Sequence, residues 1–276
     1  MDYELIKLYD GKVEVKFFPK THCYMVNGTR AKSVTGIIGL KDKSGALVPW
    51  ALEEGAKSLL AVLESGKKIT EESIVKSVFA SQEAKEKAAD LGTAIHDWIE
   101  QYIKAKISRK PIPDMPEDRS IIIGVNSFLE WESAHKVQFK WAEKLLYSKK
   151  YGYVGKADFA AKVDGKLCLC DNKTGNGLYE GVWVQTAAYQ KADEEESGVK
   201  YEGRWAIRIS KETEKEYYAR MELKNKIKTF LGKKPVEVKP YEIFEAKFLD
   251  ETADTLKEDF TEFLHRLAMS GYKRGY

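Results

Sequence analysis

The chain has 276 residues, with 46 Lys and Arg against 43 Asp and Glu, so its formal net charge is +3. This length supports a buried core in one large or two small domains, and so weak a charge requires any polyanion site to be a local patch. The 3 cysteines argue against a disulfide framework and exclude a four-cysteine zinc or iron–sulfur site within one chain.

The first residues, MDYELIKLYDGKVEVKF, contain early acids and lack the apolar segment of a signal peptide. No apolar run approaches about 18 residues, so no membrane span is predicted. Together with the few cysteines, these features lead us to expect a soluble protein in a reducing, intracellular compartment.

The first third of the chain combines strand and helix signals. Residues 13–37 are rich in strand-forming residues, with Asn27-Gly28 as a hairpin turn. Pro49 precedes a helical stretch that ends near Gly66, and a short helix is predicted at 71–79. A clear amphipathic helix follows, in which apolar residues recur at spacings of three and four: Ala84, Ala88, Leu91, Ile95, Trp98 and Tyr102.

The rest of the chain predicts a mixed α/β domain with a central sheet. A Pro-rich loop at 110–118 leads into a helix at about 117–135. The predicted strands are QFKWAEKLLYS (138–148), YVGKADFAAKV (153–163) and KLCLCDNK (166–173), the last two joined by a tight turn. They are followed by a helix in YEGVWVQTAAYQKADEEE, a strand at 204–210, a polar insertion containing LGKKP, a strand in PYEIFEAKF and a helix at about 250–270.

The strand KLCLCDNK carries the most informative polar residues. Side chains alternate along a strand, so Asp171 and Lys173 share one face, where they leave the core after two leucines. Cys168 and Cys170 share the other face, and we interpret them as packing residues. Asp158 lies on the adjacent antiparallel strand. Counting outward from the turn does not give it an exact cross-strand match with Asp171, so we expect a bulge or a splay.

Two carboxylates at strand ends suit Mg²⁺ or Mn²⁺, which keep several waters and take further ligands from a substrate phosphate. The nearby lysine can hold the attacking water or the charge that develops on a phosphodiester in the transition state. The alternative is a surface ion pair, which is the commoner meaning of D-x-K alone.

Three further side chains are candidates for the same site. His96 lies on a predicted helix with Gly92 one turn before it, and it can serve as an additional metal ligand. Gln185 and Tyr189 share a helix face, where an amide and a phenol can fix a phosphate or the lysine by hydrogen bonds. The alternatives are a partly exposed helical histidine and a helix with one polar stripe.

In this order, the motifs resemble those of the RecB-like branch of the PD-(D/E)XK nucleases. They are G-T-x-x-H at 92–96, Glu143, G-x-x-D at 155–158, D-x-K-T-G at 171–175 and Q-x-x-x-Y at 185–189. The stretches AKSVTGIIGL and LVPWALEEGA are also similar to phage and mitochondrial genome-maintenance exonucleases. The core resemblance covers about residues 88–210, and weaker similarity covers about 20–265.

The resemblance implies an α/β fold with a restriction-endonuclease-like core, in which helices flank a central mixed sheet. That core, with a C-terminal helix, would occupy residues 81–276, and residues 1–80 would form a β-hairpin and helical region packed on it. The implied site residues are His96, Asp158 and Asp171 as metal ligands, Lys173 to position or activate water, Gln185 and Tyr189 to support Lys173 and the DNA backbone, and Glu143 to bind through water or orient a partner.

The implied activity is hydrolysis of DNA with Mg²⁺ or Mn²⁺ and no iron–sulfur cluster, leaving a 5′-phosphate. The resemblance favours an exonuclease on single-stranded or end-bearing DNA. It would act in replication, recombination or repair, with proteins of those pathways as partners and no membrane, in the cytoplasm of a bacterium or a phage-infected cell. Ala157 stands where the family name has proline, which RecB-like members often lack, and Asn172 stands where an apolar or aromatic residue is usual.

Two other functions stay open. One is a non-catalytic nucleic-acid-binding or assembly protein that keeps the fold, because fold does not fix function. The presence of both acids and the lysine argues against it. The other is a site-specific endonuclease or nickase that acts within a larger complex, which a closed-circular substrate would distinguish from an exonuclease.

Basic and aromatic residues interleave at one predicted hairpin tip, in a pattern that suits a single-stranded backbone with stacked bases. They are Tyr147, Lys149, Lys150, Tyr151, Tyr153 and Lys156. The alternative is a solvated turn. A second basic run, LGKKPVEVK at 231–239, is interpreted as a solvated loop.

Overall fold

The structure, a computed structural model, describes residues 2–250 and 253–271. Its helices are α1 (Val34–Ile38), α2 (Ser44–Glu64), α3 (Glu71–Ser108), α4 (Arg119–Ala134), α5 (Gly181–Ser197), α6 (Glu214–Phe230) and α7 (Ala253–Met269). Its strands are β1 (Glu4–Leu8), β2 (Val13–Phe18), β3 (Cys23–Val26), β4 (Thr29–Ser33), β5 (Val137–Ser148), β6 (Tyr153–Val163), β7 (Lys166–Lys173), β8 (Gly203–Ile209) and β9 (Phe244–Asp250).

Within the described residues, the strands form one mixed sheet of nine, in the order β1-β2-β3-β4-β6-β7-β8-β9, with β5 paired to β6 off that path. Strand β6 is antiparallel to β5 and β7, β7 is parallel to β8, and β8 is antiparallel to β9. The N-terminal strands join through β4, which pairs in parallel with the first two residues of β6. The predicted α/β class with a mixed sheet flanked by helices is confirmed.

Helices cover both faces of the sheet and bury its apolar side chains, which is the main favourable term in folding. Helices α3 and α4 pack on one face, around Phe159, Cys168 and Cys170. Helices α1, α5 and α7 pack on the other face, around Leu169 and Phe263. Both cysteines are fully buried and free, so their prediction as packing residues is confirmed.

Two helices differ from the sequence prediction. Helix α3 is one continuous element of 38 residues, where separate helices were expected, because no Gly or Pro interrupts residues 80–91. It crosses the predicted boundary between residues 1–80 and 81–276. Helix α6 lies in the segment that was expected to be a polar insertion, and it begins with a capping box between Thr213 and Glu216.

Smaller differences concern element ends. The strand region predicted to reach residue 37 stops at Ser33, whose side chain caps the short helix α1 by accepting from the Gly36 N–H. Strand β9 begins at Phe244. Residues 251–252 and 272–276, which the predicted C-terminal helix and nuclease core include, lie outside the described residues. Of the helices described, none combines the length and the apolar composition that a membrane span requires.

Candidate metal centre

Three acids stand side by side on adjacent strands. Glu143 on β5 stands opposite Asp158 on β6, because the pairs on both sides of it are in register. Asp158 stands opposite Asp171 on β7, one step beyond the last pair of those strands, Phe159 and Cys170. The expectation that the two aspartates lack an exact match is therefore wrong, and the β6–β7 pairing contains no bulge.

The strands β6 and β7 separate at this position, as the expected splay requires. Asp158 Oδ2 accepts a hydrogen bond of 2.7 Å from the backbone N–H of Asn172. The side chain thus takes the place of a backbone partner, and the ladder ends at Phe159 and Cys170. The acids lie where these strands separate, with Glu143 and Asp158 partly exposed there and Asp171 buried.

Helix α3 brings His96 to this opening. Its Nδ1 lies 3.6 Å from Asp158 Oδ2. Ligand atoms of His96, Glu143 and Asp158 all lie within 4.8 Å of one another. Ligands of one Mg²⁺ at about 2.1 Å from the ion are separated by about 3–4 Å, so small side-chain movements would let the three share a cation.

Glu143 has an unusual backbone conformation. Its φ is 51°, in the left-handed region that residues other than glycine disfavour by about 1–2 kcal/mol. The carboxylate also accepts from Lys156, whose Nζ lies 2.9 Å from Oε2. Strained residues of this kind cluster at functional sites, because the surrounding structure holds them there.

Asp171 is outside this group of three and pairs with Lys173 instead. Its carboxylate is 1% exposed, and Oδ2 lies 2.6 Å from Lys173 Nζ. Among the described residues, neither oxygen of Asp171 accepts a hydrogen bond of regular geometry. The predicted ligands His96 and Asp158 therefore come together with Glu143, while the third predicted ligand, Asp171, holds the lysine beside them.

The site is costly to ionise without a cation. Burial and repulsion by Asp158 raise the pKa of Glu143 to about 7. Burial raises the pKa of Asp171 to about 6 and also raises the pKa of Asp158, in both cases against the attraction of Lys173. Burial lowers the pKa of His96, which keeps the imidazole neutral with a lone pair free. Burial lowers the pKa of Lys173, but the two aspartates outweigh it and the net shift is upward.

Gln185 and Tyr189 lie together on α5. Gln185 Nε2 donates to Tyr189 Oη at 3.2 Å, and burial raises the pKa of that phenol. The Tyr189 ring packs on Gly155, where an added Cβ would lie 2.6 Å from Cε1. Neither side chain hydrogen-bonds to Lys173 among the described residues, so their predicted support of that lysine stays a prediction.

Two of the motifs touch each other directly. A Cβ on Gly92 would lie 2.8 Å from Oγ1 of Thr174, the residue that follows Lys173. The glycine therefore lets α3 approach the end of β7 closely enough for His96 to reach the acids. The contact joins the G-T-x-x-H motif to the D-x-K-T-G motif.

The predicted nucleic-acid surface at the hairpin tip is only partly exposed. Lys149 Nζ lies 3.8 Å from the ring centroid of Tyr9, and Lys150 Nζ lies 5.1 Å from that of Tyr151. The tip is remote from the acids, because the five residue steps from Tyr153 to Asp158 span about 17 Å along a strand.

Two residues assigned to that surface have other positions. Tyr153 is 0% exposed and donates its hydroxyl to the carbonyl of Ala188, so its assignment as a base-stacking residue is wrong. Lys156 is half-buried in its ion pair with Glu143, at the metal centre instead of the tip.

Comparison with known proteins identifies no family. The sequence matches no protein-family model, and it has no significant match among curated proteins.

The geometry adds one assignment that the sequence pattern did not contain. Glu143 was expected to act through water or to orient a partner, yet its carboxylate lies beside His96 and Asp158. No local signal marks it, because only the β5–β6 register and the left-handed φ bring it there. An imidazole and two carboxylates at an open strand edge are a ligand set for a hard divalent cation.

Proposed function

We propose that this protein is a metal-dependent deoxyribonuclease that hydrolyses phosphodiester bonds. One observation carries the proposal: His96, Glu143 and Asp158 offer ligand atoms within 4.8 Å of one another, beside the buried ion pair of Asp171 and Lys173. A metal site next to a positioned ammonium group is an arrangement suited to phosphoryl chemistry.

The residues fit a divalent cation by charge and by donor type. When all three are ionised, the carboxylates of Glu143, Asp158 and Asp171 outnumber the two cations, Lys156 and Lys173, so a divalent cation would balance the remaining charge. Each carboxyl has a raised pKa, which marks the energetic cost of that charge. Oxygen ligands with one imidazole suit Mn²⁺ and Mg²⁺, which are the cofactors we propose.

The side chains of this chain then have separate roles. A bound divalent cation supplies positive charge that stabilises the phosphodiester transition state and lowers the pKa of water. Lys173 presents its ammonium group to the attacking water or to the negative charge that develops on phosphate. Asp171 fixes the position of Lys173 and keeps it protonated, because their attraction raises its pKa. His96 is neutral, so its lone pair is available as a ligand.

The fold supports the narrower version of the proposal. Antiparallel β5, β6 and β7 followed by parallel β8, with helices on both faces, are compatible with a restriction-endonuclease-like core of the RecB-like PD-(D/E)XK type. Together with the motif resemblance, which favours this activity, we propose an exonuclease that acts on single-stranded or end-bearing DNA. Its place would be in replication, recombination or repair, together with proteins of those pathways, in a bacterium or a phage-infected cell.

The test is a cleavage assay on end-labelled single- and double-stranded oligonucleotides with Mg²⁺, Mn²⁺ or EDTA. We expect metal-dependent cleavage that falls by about 10²-fold or more in Lys173→Ala, with binding in EDTA unchanged. Lys162→Ala is the matched control, because Lys162 is exposed on β6 outside the site. A closed-circular substrate separates exonuclease from endonuclease. Normal turnover by Lys173→Ala, or no cleavage by the parent with either metal, would contradict the proposal.

A further inference from the structure

A groove of about 1290 Å³ begins beside the metal centre. One of its lining residues is Thr174, which directly follows Lys173 on the chain. The groove then runs between the loop at 174–179, the end of β8, the start of α6 and the segment at 239–247. A polymer lying in it would therefore pass the residue next to Lys173.

The charges along the groove are mainly positive. Its lining contains five cations, Arg208, Lys211, Arg220, Lys239 and Lys247, against three acids, Glu212, Glu242 and Glu245. Three of the five cations are paired within this set, Arg208 and Lys247 with Glu245 and Arg220 with Glu212.

Two of the groove lysines have no ion-pair partner in the described part of the chain. Lys239 is exposed, and the half-buried Lys211 reaches only the carbonyl of Ala88, at 3.5 Å. Burial lowers the pKa of Lys211, and the attraction of Glu212 offsets this only in part. An anionic ligand would supply a further counter-charge.

Tyrosines provide flat surfaces in the same groove. The rings of Tyr217 and Tyr241 lie 5.7 Å apart, centroid to centroid. Their hydroxyls are fixed by hydrogen bonds to the carbonyls of Lys239, at 3.0 Å, and Glu212, at 2.7 Å. Tyr179 on the facing loop is 68% exposed. Rings already held in place lose little conformational entropy when a base stacks on them.

We propose that this groove binds single-stranded DNA and leads it to the metal centre, an inference that rests on the proposed nuclease function. The unpaired lysines contact the phosphate backbone, and the tyrosines stack on unpaired bases, which a duplex would keep inside its own stack. The groove is thus an alternative to the hairpin tip as the substrate surface, and the tip lies about 17 Å or more from the acids.

The test measures binding of a fluorescein-labelled oligothymidine of about 20 nucleotides to the full chain, by anisotropy in EDTA. The groove variants are Lys239→Glu and Tyr179→Ala, both at exposed positions that do not support the fold. The matched control is the double variant Lys149→Ala, Lys150→Ala at the hairpin tip. Circular dichroism verifies that every variant is folded.

We expect Lys239→Glu to weaken binding by about tenfold and to reduce the slope of log affinity against log salt by about 0.7 or more. Tyr179→Ala should weaken binding by about fivefold through lost stacking, with the salt slope unchanged. The tip variant should change the affinity by less than about twofold. Duplex DNA should bind more weakly than the oligothymidine, and the groove variants should affect it less.

Three results would overturn the groove proposal: loss of binding in the tip variant alone, unchanged binding in both groove variants, or no binding by the parent at low salt. The use of EDTA separates this test from that of the nuclease. A parent that binds through the groove but does not cleave with either metal refutes the nuclease and keeps the groove. A parent that cleaves while both groove variants bind normally refutes only the groove.

Discussion

Neutralising Glu143 should change how the stability of the cation-free protein depends on pH. The pKa of Glu143 rises from 4.5 to about 7, first because the carboxyl is buried and second because Asp158 repels its charge. One pKa unit corresponds to about 1.36 kcal/mol, so at a pH above both values the ionised Glu143 lowers the free energy of unfolding by about 3 kcal/mol.

The sign of the effect follows from proton binding. Between these two pKa values, the folded state keeps a proton on Glu143 that the unfolded chain has released, so rising pH lowers the free energy of unfolding. This loss of stability is absent below the pKa of Glu143 in the unfolded chain and complete above its pKa in the folded protein. Glu143→Gln is neutral at every pH, and its amide oxygen can still accept from Lys156. We therefore expect the variant to gain about 2–3 kcal/mol over the parent from about pH 5 to about pH 8.

Urea unfolding in EDTA, followed by fluorescence of the 6 tryptophans, measures this difference. A second arm adds Mn²⁺ near neutral pH. Binding to the parent should restore stability, by about 2.7 kcal/mol at 100 times Kd, and Glu143→Gln should regain less. A difference between parent and variant that stays within about 0.5 kcal/mol over the whole pH range would refute the reasoning.

Three further predictions follow from the contacts of the site and the core. Gly92→Ala should lower the free energy of unfolding in urea by about 1–3 kcal/mol, because the added Cβ meets Thr174 Oγ1. Adding Thr174→Ala should restore most of this loss, and a double variant without such rescue would contradict the contact. The affinity for Mn²⁺, measured by calorimetry, should rise by up to about tenfold per pH unit below about pH 7 and level off above it, because Glu143 must lose its proton to bind the ion. Binding below about pH 7 should therefore release protons. An affinity that does not change with pH would exclude Glu143 as a ligand. Arg204→Met should lower the free energy of unfolding by about 3–5 kcal/mol, because it removes the buried guanidinium that pairs with Asp259. A decrease below about 1 kcal/mol would contradict this.

The strands around the site were predictable from the sequence because their signals are local. Residues 138–148, 153–163 and 166–173 were expected as strands, and the structure has them at Val137–Ser148, Tyr153–Val163 and Lys166–Lys173. Apolar residues that alternate with polar ones or form short continuous runs, bounded by tight turns, determine such strands with little help from the rest of the fold.

The helices were less predictable, for two different reasons. The first part of α3 has exposed apolar residues and only half-buried small ones, so its pattern suggested a break between two helices that the backbone does not need. Helix α6 is highly charged and shows a weak apolar stripe, which concealed it among polar residues. The Thr213–Glu216 capping box was the one local signal for it.

By itself, the sequence determined which residue types stand at the open end of the sheet: Asp158, Asp171 and Lys173 follow from strand alternation and the turn before them. The tertiary structure decided their partners. It brought Glu143 and His96 to Asp158 and left Asp171 to hold the lysine. The physical reason is that a pattern within one strand depends on neighbouring residues and indicates only which face of the strand a side chain occupies. Convergence of residues far apart in the chain depends on the pairing of β5 with β6 and on the close packing of α3 against β7.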